Sequence, residues 1–322
     1  MRKPTDGAGG SPERPPFAEL RPLGYVPAPV SLLSAVLLGL VQAATEFLPV
    51  SSTAHLLVFG ELLGNDLADE RFRAFTTIIQ SGTTLAVLVY FRREIASLLY
   101  AGVRSIVRLR PLETAQSRLG WYIVLGTLPA AVLGKIFERR IEALGNWVIA
   151  TSLVLLGILL LVAERLAKHE RDVEDVRARD AFLIGLGQAV ALVPGSSRSG
   201  TTITTGMLLG LTREAAARFS FLLSVPIILG AGAYKLWKTV PVLRGEPAWA
   251  TATVIGTAVS AVGGYLVIGW LLGWLRTRTT YVFVAWRLAA GLLVAALILG
   301  GVLPAGEAPP PPAPAAAGAR AP

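Results

Sequence analysis

Two stretches carry charge and hydroxyl groups through otherwise apolar sequence. One is Gln42-Ala-Ala-Thr-Glu46-Phe-Leu-Pro49-Val-Ser51-Ser52-Thr53-Ala-His55. The other is Gln188-Ala-Val-Ala-Leu-Val-Pro194-Gly195-Ser196-Ser197-Arg198-Ser199-Gly200-Thr201-Thr202. Apolar runs flank both, which puts them at membrane depth. An ionised side chain there costs about 2.5–3.5 kcal/mol on insertion scales, so such residues read first as functional. A carboxylate and an imidazole in one stretch, with a guanidinium among hydroxyls in the other, suit chemistry on an anion.

Gln42 and Glu46 are spaced i, i+4 and share one helix face. Gln42 either bonds to a neighbouring helix or supports a metal or phosphate. A carboxylate at depth needs a cation or a proton, and Mg²⁺ or Ca²⁺ bridging Glu46 to phosphate oxygens supplies one. Ser51, Ser52 and Thr53 precede the apolar run from Leu56; one of them is expected to cap the following helix, leaving the others for substrate. His55 is a proton donor or acceptor near neutral pH, or else a core imidazole bonded to a carbonyl. Arg198 sits in a turn opening a helix over 200–211. The N–H groups of residues 196–200 would form an anion site there, and the guanidinium adds a planar fork for phosphate oxygens. An Arg198–Glu46 ion pair is the alternative, compatible with the first reading if the pair opens on binding. Gly195 and Gly200 let the backbone approach a ligand closely, with Ser196, Ser197, Ser199 and Thr201 as further substrate contacts.

Composition says what must position these groups. Of 322 residues, 53% are hydrophobic and 16% charged, and the mean hydropathy is +0.59. Soluble domains carry about 25% charged residues, so the deficit points to the bilayer. No cysteine is present, which excludes disulfides and thiolate chemistry. Of two histidines, His169 lies in a charged loop. The net charge of +9 comes without a basic stripe interleaved with aromatics, so nucleic acid is not expected as a partner. Gly134-Lys135 is followed by isoleucine and is no Walker A sequence, which argues against an ATP-driven machine. Residues 1–28 and 304–322 read as disordered tails around one integral membrane domain, 29–303.

Crossings of about 20 residues are expected at 75–91, 118–134, 144–163, 217–235, 250–273 and 282–303. The regions 30–64 and 181–211 are broken by the two polar stretches, and their halves are too short to cross. Re-entrant helix pairs satisfy the backbone there, because irregular chain is tolerated at depth only when buried in protein or lining a wet cavity. The broken regions resemble each other: Gln42 matches Gln188 at an offset of 146, Pro49-Val-Ser51-Ser52 matches Pro194-Gly-Ser196-Ser197 at 145, and Phe75 matches Phe219 at 144. Paired interrupted segments in two halves, about 30–163 and 181–303, point to a central site. Three crossings between the broken regions make the halves inverted. Loop 92–118, with Arg92, Arg93, Arg104, Arg108, Arg110 and Arg118, and loop 164–180 fall on one side, taken as cytoplasmic, although a turn at 135–140 also holds Lys135, Arg139 and Arg140. The fold class is therefore an all-α polytopic membrane protein with inverted-topology repeats and two re-entrant helix pairs.

The Gln42-x-x-x-Glu46-Phe-Leu-Pro-Val-Ser-Ser-Thr-x-His55 and Pro194-Gly-Ser-Ser-Arg198-Ser-Gly motifs resemble those of the bacterial undecaprenyl-diphosphatases of the bacitracin-resistance type, over roughly 30–303. The resemblance implies removal of the terminal phosphate from undecaprenyl diphosphate, which recycles the lipid carrier for peptidoglycan synthesis. It implies dependence on a divalent cation and an active site facing outside the cytoplasmic membrane. It assigns the important positions to Glu46, Ser52, His55 and Arg198, with Gln42 as metal or phosphate support; Glu46, with Gln42, is the expected holder of the metal. Gln42 stands where the family also uses glutamate, and Ala54 where glycine is frequent. Ser52 is the expected nucleophile with His55 handling its proton, and water activated by His55 or Glu46 is the alternative. The partners are the polyprenyl diphosphate and the bilayer, with a homodimer left open. Broken helices in inverted repeats also suit a transporter or flippase of a polyprenyl phosphate.

Overall fold

The computed structural model describes residues 29–142 and 144–305. The tail expected at 1–28 lies outside the described residues, as does all of that expected at 304–322 except Pro304 and Ala305. No named strand occurs among those described, and the chain is an all-α polytopic membrane protein. Five helices are long and apolar enough to cross a bilayer: α3 (Glu70–Tyr90), α5 (Ala115–Glu142), α6 (Asn146–Leu166), α11 (Pro247–Thr277) and α12 (Tyr281–Leu299).

The two broken regions form helix pairs, α1 (Leu32–Phe47) with α2 (Ser52–Leu62), and α7 (Ala178–Val190) with α8 (Arg198–Leu208). At 1.5 Å per residue the 16-residue α1 is about 24 Å long, and α2 and α8, with 11 residues each, about 17 Å. None reaches across a hydrocarbon core of about 30 Å.

The repeat is kept in backbone detail. Helix starts at Leu32 and Ala178, starts at Ser52 and Arg198, and ends at Leu62 and Leu208 are all 146 residues apart. So are two non-glycine N-caps with positive φ, Ser51 (76°) and Ser197 (68°), and two turn glycines, Gly64 (73°) and Gly210 (90°). This corrects the match drawn through the prolines. Ser51 corresponds to Ser197, not Ser196, and Pro49 falls opposite Gly195.

The halves exchange packing partners. Helix α1 packs on α11 and α7 on α5. A Cβ on Gly39 would lie 2.7 Å from the Gly256 carbonyl, and one on Gly185 would lie 2.3 Å from that of Gly126. Small residues let membrane helices approach this closely. Next to the first polar stretch, Phe47 meets Phe221 edge to face at 5.4 Å, which anchors the end of α1 in the core.

Three expectations are corrected. Segment 92–118 is not a loop: its first part is helix α4 (Arg92–Val107), whose apolar residues are bounded by Arg92, Arg93 and Glu94 at one end and Arg104 near the other, and so escapes a search for apolar runs. The turn expected at 135–140 is absent, since α5 continues through Lys135 and Arg140 to Glu142. The crossing expected at 217–235 changes helix type, from α9 (Arg213–Ile227) through a π turn at Ile228–Gly232 to the short α10 (Ala233–Thr239). Pro226 lacks an N–H and breaks the ladder there.

Candidate active site

The two polar stretches meet. Arg198 Nη2 lies 2.7 Å from Glu46 Oε1, although 152 residues separate them. Ser52 Oγ donates to Glu46 Oε2 at 2.9 Å, and Gln42 Nε2 donates to the same oxygen at 3.1 Å. One carboxylate thus receives three donors. Ser52 and Arg198 are structural counterparts, the first helical residues of α2 and α8. The counterpart of Glu46 is Leu192, so the symmetric scaffold carries one asymmetric site.

A cavity of about 260 Å³ opens at this junction, lined by Glu46, Ser51, Ser52, Thr53, Gly195, Ser197 and Arg198, together with Thr45 and Gln80. Arg198 and Glu46 are each 19% exposed, enough to be reached by a ligand. The amides of Ser196 and Gly200 are used within the turn, by Val193 O and Ser197 Oγ. Those of Arg198 and Ser199, in the first turn of α8, have no acceptor among the described residues and are free for an anion.

Other candidates stand elsewhere. Ser196 is buried at 1% exposure outside the cavity lining. Ser199 Oγ reaches Leu48 O at 3.0 Å, stitching the second turn to the first. Thr201 Oγ1 bonds to Arg198 O at 3.1 Å, inside its own helix. The glycines serve packing: a Cβ on Gly195 (φ 85°) would meet Ile149 O at 2.6 Å, and one on Gly200 would meet Arg287 Nη1 at 2.9 Å. Capping also differs from expectation. Ser51 is the N-cap of α2 but its side chain makes no capping bond, whereas Ser197 accepts from the Gly200 amide.

His55 is engaged away from the cavity. Its Nδ1 lies 2.7 Å from Ser51 O, and its Nε2 accepts from Trp286 Nε1 at 2.7 Å. The carbonyl-bonded alternative for this imidazole describes its place here, and Ser52 turns to Glu46 instead.

Arg287 completes the site from below and escaped the sequence reading. Its side chain is 1% exposed in the middle of α12. It donates to Pro49 O (3.2 Å), Leu153 O (3.3 Å), Ser152 O (3.2 Å), Ser196 O (3.1 Å) and Gly195 O (3.4 Å). All three nitrogens of the rigid guanidinium fork thereby tie both broken turns to α6. A lone arginine within an apolar stretch was the available signal. Gln80, equally polar within α3, gave the same kind of hint.

The cation expected at Glu46 and Gln42 meets a sparse donor set. No group of three His, Asp or Glu residues suited to a metal occurs among the described residues. Gln42 Oε1 is buried without a partner, and Glu46 supplies one carboxylate. Mg²⁺ is commonly held by one or two carboxylates plus substrate phosphates, so these residues fit a cation that arrives with a diphosphate.

Residues 35–293 match the family described as "Bacitracin resistance protein BacA". The chain is 81% identical over 279 residues to an undecaprenyl-diphosphatase of Anaeromyxobacter sp. (strain Fw109-5), covering 87% of this chain and 92% of that one. It is 47% identical over 278 residues to an undecaprenyl-diphosphatase of Myxococcus xanthus (strain DK1622), covering 85% and 91%. Against that of Chlorobium luteolum (strain DSM 273 / BCRC 81028 / 2530) it is 43% identical over 283 residues, covering 85% and 99%.

Proposed function

Because this chain belongs to the bacitracin resistance protein BacA family, we propose that it is an undecaprenyl-diphosphatase acting through the cavity between its two broken helix pairs. It is a phosphatase of the membrane, converting undecaprenyl diphosphate and water to undecaprenyl phosphate and inorganic phosphate. The observation that carries the site is the 2.7 Å Arg198–Glu46 contact, with a serine hydroxyl on the same carboxylate.

In the reading supported by this geometry, the terminal phosphate takes Arg198 from Glu46, and the free amides at the start of α8 add donors. Preorganised charge of this kind is usually the largest catalytic contribution to phosphoryl transfer. Ser52 Oγ attacks the terminal phosphorus while its proton passes to Glu46 Oε2, 2.9 Å away. The bond from phosphorus to the bridging oxygen breaks, and undecaprenyl phosphate leaves. Water then cleaves the phosphoserine, releasing inorganic phosphate. Glu46 and Gln42 would hold a divalent cation, Mg²⁺ or Ca²⁺, which when bound neutralises phosphate charge. Re-entry of both helix pairs, a bacterial cytoplasmic membrane location and a cavity opening to its outer side belong to the same proposal. They rest on the short broken helices and on the basic residues of 92–118 and 164–180.

The test is phosphate release from C55 diphosphate by purified protein in detergent, with and without a chelator. Release without a membrane gradient is expected, and a chelator should abolish it. A pure carrier, the flippase alternative, would release none. Quenched reactions should trap phosphoserine at Ser52, and continued turnover in Ser52→Ala would shift the attack to water.

A further inference from the structure

Two strained turns of equal shape are held in two different ways. Ser51 and Ser197 both occupy positive φ, at 76° and 68°, a region that costs a non-glycine residue about 1–3 kcal/mol unless its surroundings enforce it. At Ser197 the residue's own hydroxyl accepts from the Gly200 amide, while the Thr201 amide bonds to Ser197 O at 2.9 Å. At Ser51 the hydroxyl makes no capping bond, and the equivalent amide, that of His55, sits at 3.4 Å from Ser51 O. The stronger bond to that carbonyl comes from the imidazole, Nδ1 to O at 2.7 Å.

A carbonyl only accepts and an indole N–H only donates. Nδ1 therefore carries the proton, and the Nε2 lone pair is taken by Trp286 Nε1 at 2.7 Å. The ring planes are nearly parallel, 9° apart with centroids 6.0 Å from each other, which is compatible with that bond. Protonating Nε2 would set two N–H groups against each other, so Trp286 fixes both the tautomer and the neutrality of the imidazole. Trp286 is next to Arg287, whose Nη1 holds Pro49 O at 3.2 Å. Consecutive residues of α12 thus brace the 49–51 turn from both ends.

We propose that His55 and Trp286 form a positioning pair for this turn, and that the imidazole carries no proton in the reaction. The pair does for Ser51 what the Ser197 hydroxyl does for its own turn. It leaves the Ser51 hydroxyl on the cavity wall and keeps Ser52 Oγ against Glu46. Trp286 is then a positioning residue. This inference rests on the phosphatase reading for its kinetic arm only.

The test has two arms. In His169→Gln protein with ¹⁵N-labelled histidine, which leaves one imidazole, His55 should show the Nδ1-protonated neutral tautomer throughout pH 5.5–8. Titration near the ordinary value of about 6.5 would overturn the proposal, whatever the activity. In kinetics with C55 diphosphate, His55→Asn, which can donate to Ser51 O but cannot shuttle a proton, should stay within about tenfold of wild type with an unchanged pH profile. His55→Ala should lose about 100-fold in kcat, the scale of loss from an ångström of misplacement. Trp286→Phe should lower kcat and leave KM in place. His55→Asn as inactive as His55→Ala, in protein that elutes and melts like wild type, would restore the imidazole to proton transfer. A wild-type protein that releases no phosphate would instead sink the phosphatase reading while leaving the tautomer measurement standing.

Discussion

At the scale of single residues, the site turns on one carboxylate that serves several donors. Arg198→Lys keeps the charge but loses the planar fork, so kcat/KM should fall about 100-fold, near the value of one oxyanion donor. Near-normal turnover would mean that Arg198 merely balances charge. Glu46→Gln should be harsher, because it removes the acceptor of the Ser52 proton together with the partner of Arg198; phosphate release at a tenth of wild type or better would contradict that role. The convergence of Glu46 with Arg198 was legible in sequence, since an isolated charge at depth demands a partner. The division of labour among hydroxyls was not. Ser196, Ser199 and Thr201 read as phosphate contacts by type, yet each lies outside the cavity, and Ser199 and Thr201 spend their hydroxyls on backbone carbonyls. Composition cannot say which of several adjacent serines faces in. Arg287 was overlooked because a single charge barely lowers the average of an apolar window.

At the scale of elements, Arg287 is what makes two turns into one site. Arg287→Met should strand the buried carbonyls of Pro49, Gly195 and Ser196 in the two turns, and each buried group left unpaired costs about 1–3 kcal/mol. A clear fall in melting temperature in detergent is expected, along with loss of activity. Melting within a degree of wild type would show that other contacts hold the turns. Arg287→Lys should recover only part of this, having three donors instead of five. Helix positions followed well from apolar runs, but α4 did not, because its mixed face suits an interface better than a hydropathy window. The register between repeats was off by one residue at the turns. Matching prolines drew the alignment, whereas the backbone equates the two strained serines.

At the scale of the whole molecule, α1 leans on α11 and α7 on α5, so neither half buries its own first helix. A chain split between α6 and α7 should give two fragments that accumulate and restore phosphate release only when produced together. Activity from either fragment alone would contradict this exchange. Enlarging a crossing point should act in the same way: Gly185→Val drives side-chain atoms into the Gly126 backbone and should lower the yield of folded protein, while Gly102→Ala, on open ground, should not. The repeat itself was visible in sequence, but its cross-bracing was not, since periodicity reports which face is apolar without naming its neighbour.

The resting contact between Arg198 and Glu46 also fixes an order of events. With acid and base cancelling, the chamber by itself should exert little pull on a dianion. Once an arriving headgroup claims the guanidinium, the carboxylate keeps only the neutral donors of Ser52 and Gln42, and something positive must travel in alongside. Lipid and counterion should then saturate the protein together, each tightening the hold on the other, rather than as independent guests.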